Sequence, residues 1–394
     1  GARLRNTLVV AEVSLALILL IGAGLLTRTF SNLQKTEMGY NANGLYVTRV
    51  MLLPEKYPDN QARIYFTEHA LQQLSLKHEI IASAFTTGFP YFGWRRPRFD
   101  IEERSESDLN NLPGVILSSV TPDYFKVIRN SLLSGRWFTA RDRENTPLVA
   151  IVSDQVAKQY FPGENPIGKR IALVRDTTRE WREIIGVVDD VKMRGAIEPT
   201  EPEVYVPFRQ YSIGTNFMPV VRVREGTPNP GSVVASAIQV VDPDVPIRRQ
   251  MPHIAEFDAN AVATQHFTLF LFGIFSTVAL LLAAIGIFGV MSYTVNQRTN
   301  EIGVRMALGA QRAGILRLIF YQAGKLVSIG LFIGIIGAFA SSRLLSSILY
   351  EVSPYDPASF VSISVVLAVV ATVACWIPAH RASKVDPIIA LDTD

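Results

Sequence analysis

Gln297-Arg-Thr-Asn-Glu-Ile-Gly-Val-Arg-Met-Ala-Leu-Gly-Ala310 opens a polar interruption between two long apolar runs, residues 267–295 before it and 326–345 after it. At the helical rise the first of these runs is about 43 Å long, more than a bilayer core of roughly 30 Å requires. The second contains Gly330, Gly334 and Gly337, and Gly330-x3-Gly334 is a small-x3-small spacing that permits close helix approach. Two more apolar runs lie outward of this pair. Residues 8–26 follow Arg3 and Arg5, and residues 360–377 are stopped by Pro378. The first run is long for a signal peptide and is read as a retained span. The pattern is therefore four membrane helices with the interruption, residues 297–325, in their middle.

Composition agrees. The chain has 394 residues, 48% hydrophobic and 19% charged, with a positive mean hydropathy, which is apolar for a soluble domain. A net charge of +3 gives no footprint for nucleic acid, which wants a dense basic face. The single Cys375 sits in an apolar run and excludes an internal disulfide. Residue 1 is Gly, which is compatible with a fragment or a processed chain.

Between residues 27 and 265 the character changes to short alternating segments punctuated by Pro and Gly. Residues 45–53, 80–86, 114–121, 148–153, 182–188, 203–208 and 218–224 read as strands, rich in Val, Ile, Tyr and Phe. Residues 60–76, 154–161 and 231–241 read as helices. Strands mixed with a few helices predict an α+β region. The second span is expected to begin as early as Pro252, with Ile254, Phe257 and Ala261 spaced three and four, and the first to run on through Phe30 and Leu33. These stripes predict either a two-helix stalk or packing of each helix on the α+β domain.

Charge sets the expected topology. Residues 1–7 carry Arg3 and Arg5 and no acid. The central loop carries Arg298, Arg305, Arg312, Arg317 and Lys325 against Glu301. The connector 346–359 has no Lys or Arg. The positive-inside rule then places both termini and the central loop in the cytoplasm and the α+β domain outside.

Enzyme chemistry is not expected. Gly163-Glu-Asn-Pro-Ile-Gly-Lys-Arg170 fits a P-loop spacing but has Arg170 where Ser or Thr must ligate magnesium, and Pro162 and Pro166 remove N–H groups from the cradle. The five His are scattered, and neither H-E-x-x-H nor G-x-S-x-G occurs. Catalytic, cofactor-binding and metal residues are accordingly expected to be none. Glu12, inside the first run, is either an intramembrane functional carboxylate or an interfacial one facing a neighbouring helix. Trp94-Arg-Arg-Pro-Arg98 is read as a solvated basic loop rather than a lipid or substrate contact.

Within the central loop the pattern is two short helices. The first covers about 299–308, capped by Thr299 or Asn300 and stopped by Gly309, with Glu301 in its first turn. The second, 311–321, is amphipathic, with Ile315, Leu318 and Ile319 on one face and Arg312 and Arg317 off it. A loop that only set topology would need charge alone, so two patterned helices favour a docking surface.

Arg298-Thr-Asn-Glu-Ile-Gly-Val-Arg-Met-Ala-Leu-Gly-Ala310 resembles the signature loop of FtsX-like and MacB-like ABC transporter permeases. The closing segment Ile377-Pro-Ala-His-Arg-Ala-Ser-Lys-Val-Asp-Pro387, with Ala390-Leu391, is similar to that family's end, although His380 stands where Arg is more usual. So is Val352-Ser-Pro-Tyr-Asp-Pro357. Gly163–Lys169 and Ile185-Gly-Val-Val-Asp-Asp190 resemble a MacB-type periplasmic core. The resemblance implies a membrane α-helical fold of four transmembrane helices plus a large extracytoplasmic α+β domain of MacB periplasmic-core type. It also implies a bacterial inner-membrane location and a lipid bilayer around the spans. The expected partition is 1–36 (first span and stalk), 37–250 (α+β domain), 251–295 (stalk and second span), 296–325 (coupling loop) and 326–394 (last two spans and tail). The implied function is the permease subunit of an ATP-driven efflux system working by mechanotransmission. A signalling scaffold that controls an envelope partner such as a cell-wall hydrolase is the alternative. The implied partners are a cytoplasmic ATP-binding subunit dimer, which would hold the ATP, and a second permease unit, either another copy or the other half of a duplicated chain. The expected coupling residues are Thr299, Glu301, Ile302, Gly303, Arg305, Met306 and Gly309.

Overall fold

The computed structural model describes residues 2–102, 111–175, 178–211, 214–247, 253–297, 312–346 and 349–382. The chain forms two compact units, Thr36–Val262 and, from its two ends, Gly1–Lys35 with Ala263–Asp394.

The first unit is built on one mixed sheet. Its strands are β1 (Leu45–Val47), β2 (Val50–Met51), β3 (Ile80–Thr86), β4 (Arg98–Ile101), β5 (Ile116–Val120), β6 (Leu132–Gly135), β7 (Val149–Ser153), β8 (Arg170–Arg175), β9 (Thr178–Val188), β10 (Glu203–Pro207) and β11 (Asn216–Val223). They run in the order β1-β11-β3-β5-β10-β7-β9-β8-β4, with β2 beside β11 and β6 beside β9. The apolar runs explain the layering. Successive side chains of a strand point to opposite faces. On β11, Phe217 and Val221 enter one core while Met218 and Val220 enter another. On β7, Ala150 and Val152 enter a third core while Val149 and Ile151 enter the second. Strands buried on both faces favour apolar residues, and β5, β7 and β10 are buried throughout, with Ser118, Ser119, Ser153 and Glu203 as their buried polar positions. Helices α2 (Asn60–Ser75) and α5 (Pro230–Val241) pack together over the β1, β3 and β11 end. The short α3 (Tyr124–Ile128) closes the opposite face, and α4 (Asp154–Tyr160) covers the β7, β9 and β10 end.

The expected strands are present, except that 45–53 divides into β1 and β2, which pair with different stretches of β11, and that β4, β6 and β8 are additional. They carry Arg98, Arg170 and Arg175 or expose most of their residues, so they lack the apolar signal. The basic stretch Trp94–Arg98 is likewise part of the fold. Leu117 N–H donates to the Arg95 carbonyl (2.9 Å), Arg98 begins β4, and Arg96 pairs with Glu201 at 3.1 Å. Gly163-to-Lys169 is a turn. Gly163 and Gly168 adopt φ of +76° and +86°, and Lys169 is paired with Glu164, so its cation is held within the turn itself.

The second unit contains four long helices among the described residues: α1 (Ala2–Lys35), α7 (Ala263–Gln297), α8 (Arg312–Ser342) and α9 (Pro357–Ala382). All four are long and apolar enough to cross a membrane. The apolar stretch of α1 is 44% buried against 17–22% for the other three, so α1 is the central helix. It packs along α7 and α8 and touches α9.

Three expectations change here. The second span does not start at Pro252. A separate α6 (Ile254–Ala261) ends at Val262, and Ile254 and Phe257 pack into a sheet-domain core. Of the two readings of that stripe, packing on the domain is the observed one. The amphipathic segment 311–321 is no separate helix within the described residues, because from Arg312 it continues into the third span as α8. Pro378 does not end the fourth helix, which runs to Ala382. A proline removes one N–H and crowds one carbonyl, which the last turns of a helix tolerate.

Candidate functional site

Residues 298–311 lie outside the described residues, and with them Thr299, Glu301, Ile302, Gly303, Arg305, Met306 and Gly309. What is described is the frame from which that loop springs. Gln297 ends α7 and donates to the Tyr293 hydroxyl at 2.9 Å. The Arg5 guanidinium of α1 lies 3.6 Å from the centre of the same Tyr293 ring, a cation–π contact. Val9 of α1, Met291 and Val295 of α7, Ile319 and Ala323 of α8 and Ala379 of α9 belong to one buried cluster. Phe320 and Trp376 add an aromatic pair at 6.3 Å. Both ends of the loop thus rise from one packed cluster of four helices, and α1 is part of it.

Along the bundle, contact depends on missing side chains. A Cβ at Gly330 would lie 2.7 Å from Val13, at Gly334 2.9 Å from Leu17, and at Gly337 2.6 Å from Ile18. The seam recurs from the other side, where Gly22 of α1 receives Phe272 and Gly24 receives Ile363. Such close approach lets dispersion hold helices together in lipid, where the hydrophobic effect does not. Ser14 donates to the Gly330 carbonyl and Ser276 to the Leu19 carbonyl, each at 2.9 Å. Glu12 faces Gly286, where a Cβ would overlap its Oε2. That oxygen is buried with no hydrogen-bond partner among the described residues.

At its other end α1 is gripped by the α8–α9 connector. Arg28 pairs with Asp356, Asn32 donates to the Glu351 carbonyl at 3.2 Å, and Tyr350 N–H donates to Thr29 at 3.4 Å. Asp356 also caps α9, accepting from Ser359 N–H at 2.8 Å. The Ser359 hydroxyl, and then Arg28, hold its carboxyl below the usual range. Pro357 begins α9, Tyr355 stacks on Phe339 at 4.1 Å, and Val352 packs on the bundle. This gives Val352-to-Pro357 a physical role as cap, clamp and packing residue. Phe30 meets His266 edge-on at 4.0 Å, pairing the extensions of α1 and α7.

In the sheet domain, α6 is held by a compact latch. Asp258 accepts from the Tyr40 hydroxyl (2.6 Å) and the Tyr91 hydroxyl (2.8 Å). Phe257 stacks on Tyr91 and meets Phe92 edge-on. Burial raises the Asp258 carboxyl, and the two hydroxyl bonds pull it back. Burial and the Asp258 charge push both tyrosine hydroxyls upward, so they stay donors. Tyr91 adopts φ of +66°, a left-handed conformation unusual for an aromatic residue. Sequence reasoning missed Tyr40, Tyr91 and Asp258, because their association joins three distant segments. Asp356 lay within a quoted motif, but its partner Arg28 carried no local signal.

Among the described residues no cluster of His, Cys, Asp or Glu is arranged to hold a metal ion. Residues 7–245 match the family described as MacB-like periplasmic core domain, and residues 273–387 match FtsX-like permease C-terminal. The chain is 28% identical over 286 residues to the macrolide export ATP-binding/permease protein MacB of Azoarcus sp. strain BH72, covering 68% of this chain and 41% of that one. It is 27% identical over 285 residues to the pyoverdine export ATP-binding/permease protein PvdT of Pseudomonas aeruginosa, with 68% and 41% covered. To the ABC transporter permease YknZ of Bacillus subtilis, itself uncharacterized, it is 28% identical over 286 residues, with 70% and 69% covered. The chain thus spans about two fifths of the length of the first two relatives (41% of each). Among solved structures, the periplasmic region of MacB from Actinobacillus actinomycetemcomitans aligns with 17% identity and a TM-score of 0.36, over 53% of this chain and 90% of that one. Four apolar helices with a periplasmic-type domain fit an inner-membrane protein. On the family match over residues 7–245, joined to the one over 273–387, the chain belongs to the FtsX-like/MacB-like ABC transporter permease family.

Proposed function

We propose that the chain is the transmembrane subunit of an ATP-driven exporter that works by mechanotransmission. A separate ATP-binding subunit dimer docks on residues 299–308 from the cytoplasm, with Thr299, Glu301, Ile302, Gly303, Arg305, Met306 and Gly309 at the contact. Both termini share that side, as the Arg and Lys bias of the segments predicts. A second permease unit completes the assembly, and export of a small molecule follows the printed names of the MacB and PvdT relatives.

The observation that carries this reading is the construction of α1. It is one uninterrupted 34-residue helix, tied to α7 at its start through Arg5 and Tyr293 and to the α8–α9 connector at its end through Arg28 and Asp356. A continuous helix held at both ends transmits displacement along its axis. Only Val262 separates α7 from α6, which the Asp258 latch fixes to the sheet core. Force on the loop therefore has a covalent path into the sheet domain.

The test is ATPase stimulation of the cognate ATP-binding subunit by the reconstituted chain. Gly303→Pro should abolish stimulation, and unchanged stimulation would remove the docking role. Capture of an envelope hydrolase with no export defect would favour the signalling alternative.

A further inference from the structure

A cavity of about 670 Å3 lies in the sheet domain, walled by Gly44 of the segment before β1, by Ile81 of β3 and by His253 at the start of α6. Arg129, Arg222 and Arg224 also line it, and Glu225 is the one carboxylate among its described lining residues. The volume falls in the range of small-molecule sites, roughly 300–1,000 Å3.

The three arginines are held in different ways. Arg222 is 3% exposed, and its guanidinium donates to the carbonyls of Val127 (2.8 Å), Asn41 (2.9 Å) and Asn43. It meets no carboxylate among the described residues. Burial first, and then the Arg129 charge, push it down to about 10. Arg129 ends α3 in the left-handed conformation, φ +61°, which costs a non-glycine residue energy and sets its side chain at the cavity. It has no ion pair among the described residues. Arg224 donates Nε to the His78 carbonyl at 2.8 Å, which leaves its two terminal nitrogens to the cavity edge. Three guanidiniums against one carboxylate make a concave, positively charged site, and among the described residues no carboxylate pairs with Arg129 or Arg222. The start of α6 adds the partial positive charge of a helix N-terminus, with no side-chain cap.

We infer that this cavity binds a phosphate-bearing organic anion, its oxyanion held by Arg129 and Arg224 over the buried Arg222 and its apolar part against Ile81. Guanidinium forks match phosphate oxygens bidentately, and a phosphate alone would fill only part of the space. The chemistry is shared by a soluble phosphoester and a phospholipid headgroup. This inference does not depend on the transport reading above.

The test is isothermal titration of the full chain in neutral detergent with sodium pyrophosphate, dihexanoyl phosphatidic acid and zwitterionic dihexanoyl phosphatidylcholine. Arg129→Asn keeps the left-handed backbone and removes the charge; Arg224→Gln is an independent surface variant, and Arg141→Gln is the distant control. Thermal unfolding reports whether each variant is folded. Saturable binding of pyrophosphate or phosphatidic acid is expected, weakened about tenfold by Arg129→Asn, as for loss of one charge-assisted hydrogen-bond pair. Equal affinity for the two ligands identifies a soluble phosphoester site, and a clear preference for phosphatidic acid a lipid site. No saturable binding of either anion, or equal affinity in Arg129→Asn, Arg224→Gln and Arg141→Gln, overturns the inference.

Discussion

The sheet domain and the helix bundle solve opposite packing problems. The domain fills three cores with large side chains, Phe66, Phe85, Phe99, Phe125 and Phe217 among them, and pairs its strands through long ladders. Some of its buried polar groups are met inside: Glu203 accepts from Ser118 and Tyr205, each at 2.7 Å, and Arg222 donates to three carbonyls, while Arg182 Nε and Nη1, Ser119 Oγ, Asn130 Oδ1 and Glu201 Oε2 have no partner among the described residues. The bundle instead brings helices together by leaving side chains out, at Gly330, Gly334 and Gly337, with serine bonds from Ser14 and Ser276 across its seams. A close-packed core resists deformation. The comparison teaches that the domain is held by large interlocked side chains and the bundle by close backbone approach.

The largest effect that sharpens this contrast is expected at Phe85→Ala. It removes a fully buried ring packed on Phe217 (5.6 Å), and should cost about 3–5 kcal/mol of sheet-domain stability, read as a lower urea midpoint of the full chain. Next comes pH. Burial raises the Glu203 carboxyl to about 7 from 4.5. A carboxyl raised on folding gives stability that is full below pH 4.5 and lost as pH rises through about 7. Sheet-domain stability should therefore fall by ~3 kcal/mol between these limits, and Glu203→Gln should flatten the profile. In the bundle, Gly334→Leu overfills the seam against Leu17 and should cost about 1–3 kcal/mol, read as earlier loss of helix in a dodecyl sulfate titration with the sheet-domain midpoint unchanged. A shared loss in both units would break the comparison. The smallest effect is expected at Arg28→Ala, an exposed ion pair worth at most about 1 kcal/mol. Its stability should scarcely change while ATPase stimulation declines.

Sequence legibility followed the same division. The four spans announce themselves by long apolar runs, and the strands β3, β5, β7 and β10 by short segments rich in Val, Ile, Tyr and Phe. Strands β4 and β8 carry charge at their ends, and β8 pairs residue for residue with β9, a register no local pattern encodes. The break at Val262 has no Gly or Pro to mark it, so residues 253–297 read as one helix. It exists because Ile254 and Phe257 are committed to the sheet core. The proposed coupling residues Thr299 to Gly309 stand out as a sequence motif, whereas the latch of Tyr40, Tyr91 and Asp258 arises only when residues far apart in sequence meet.

The central claim is that force entering at residues 299–308 reaches the sheet domain through the helices and α6. Hydrogen exchange of the complex with its ATP-binding subunit, trapped with ATP or ADP, tests it most directly. The account predicts that exchange in α6 and in β1 and β11 differs between the two nucleotides. In Tyr40→Phe/Tyr91→Phe the difference should disappear from β1 and β11 while ATPase stimulation persists. Identical exchange of α6, β1 and β11 in both nucleotide states of the wild-type complex would contradict it.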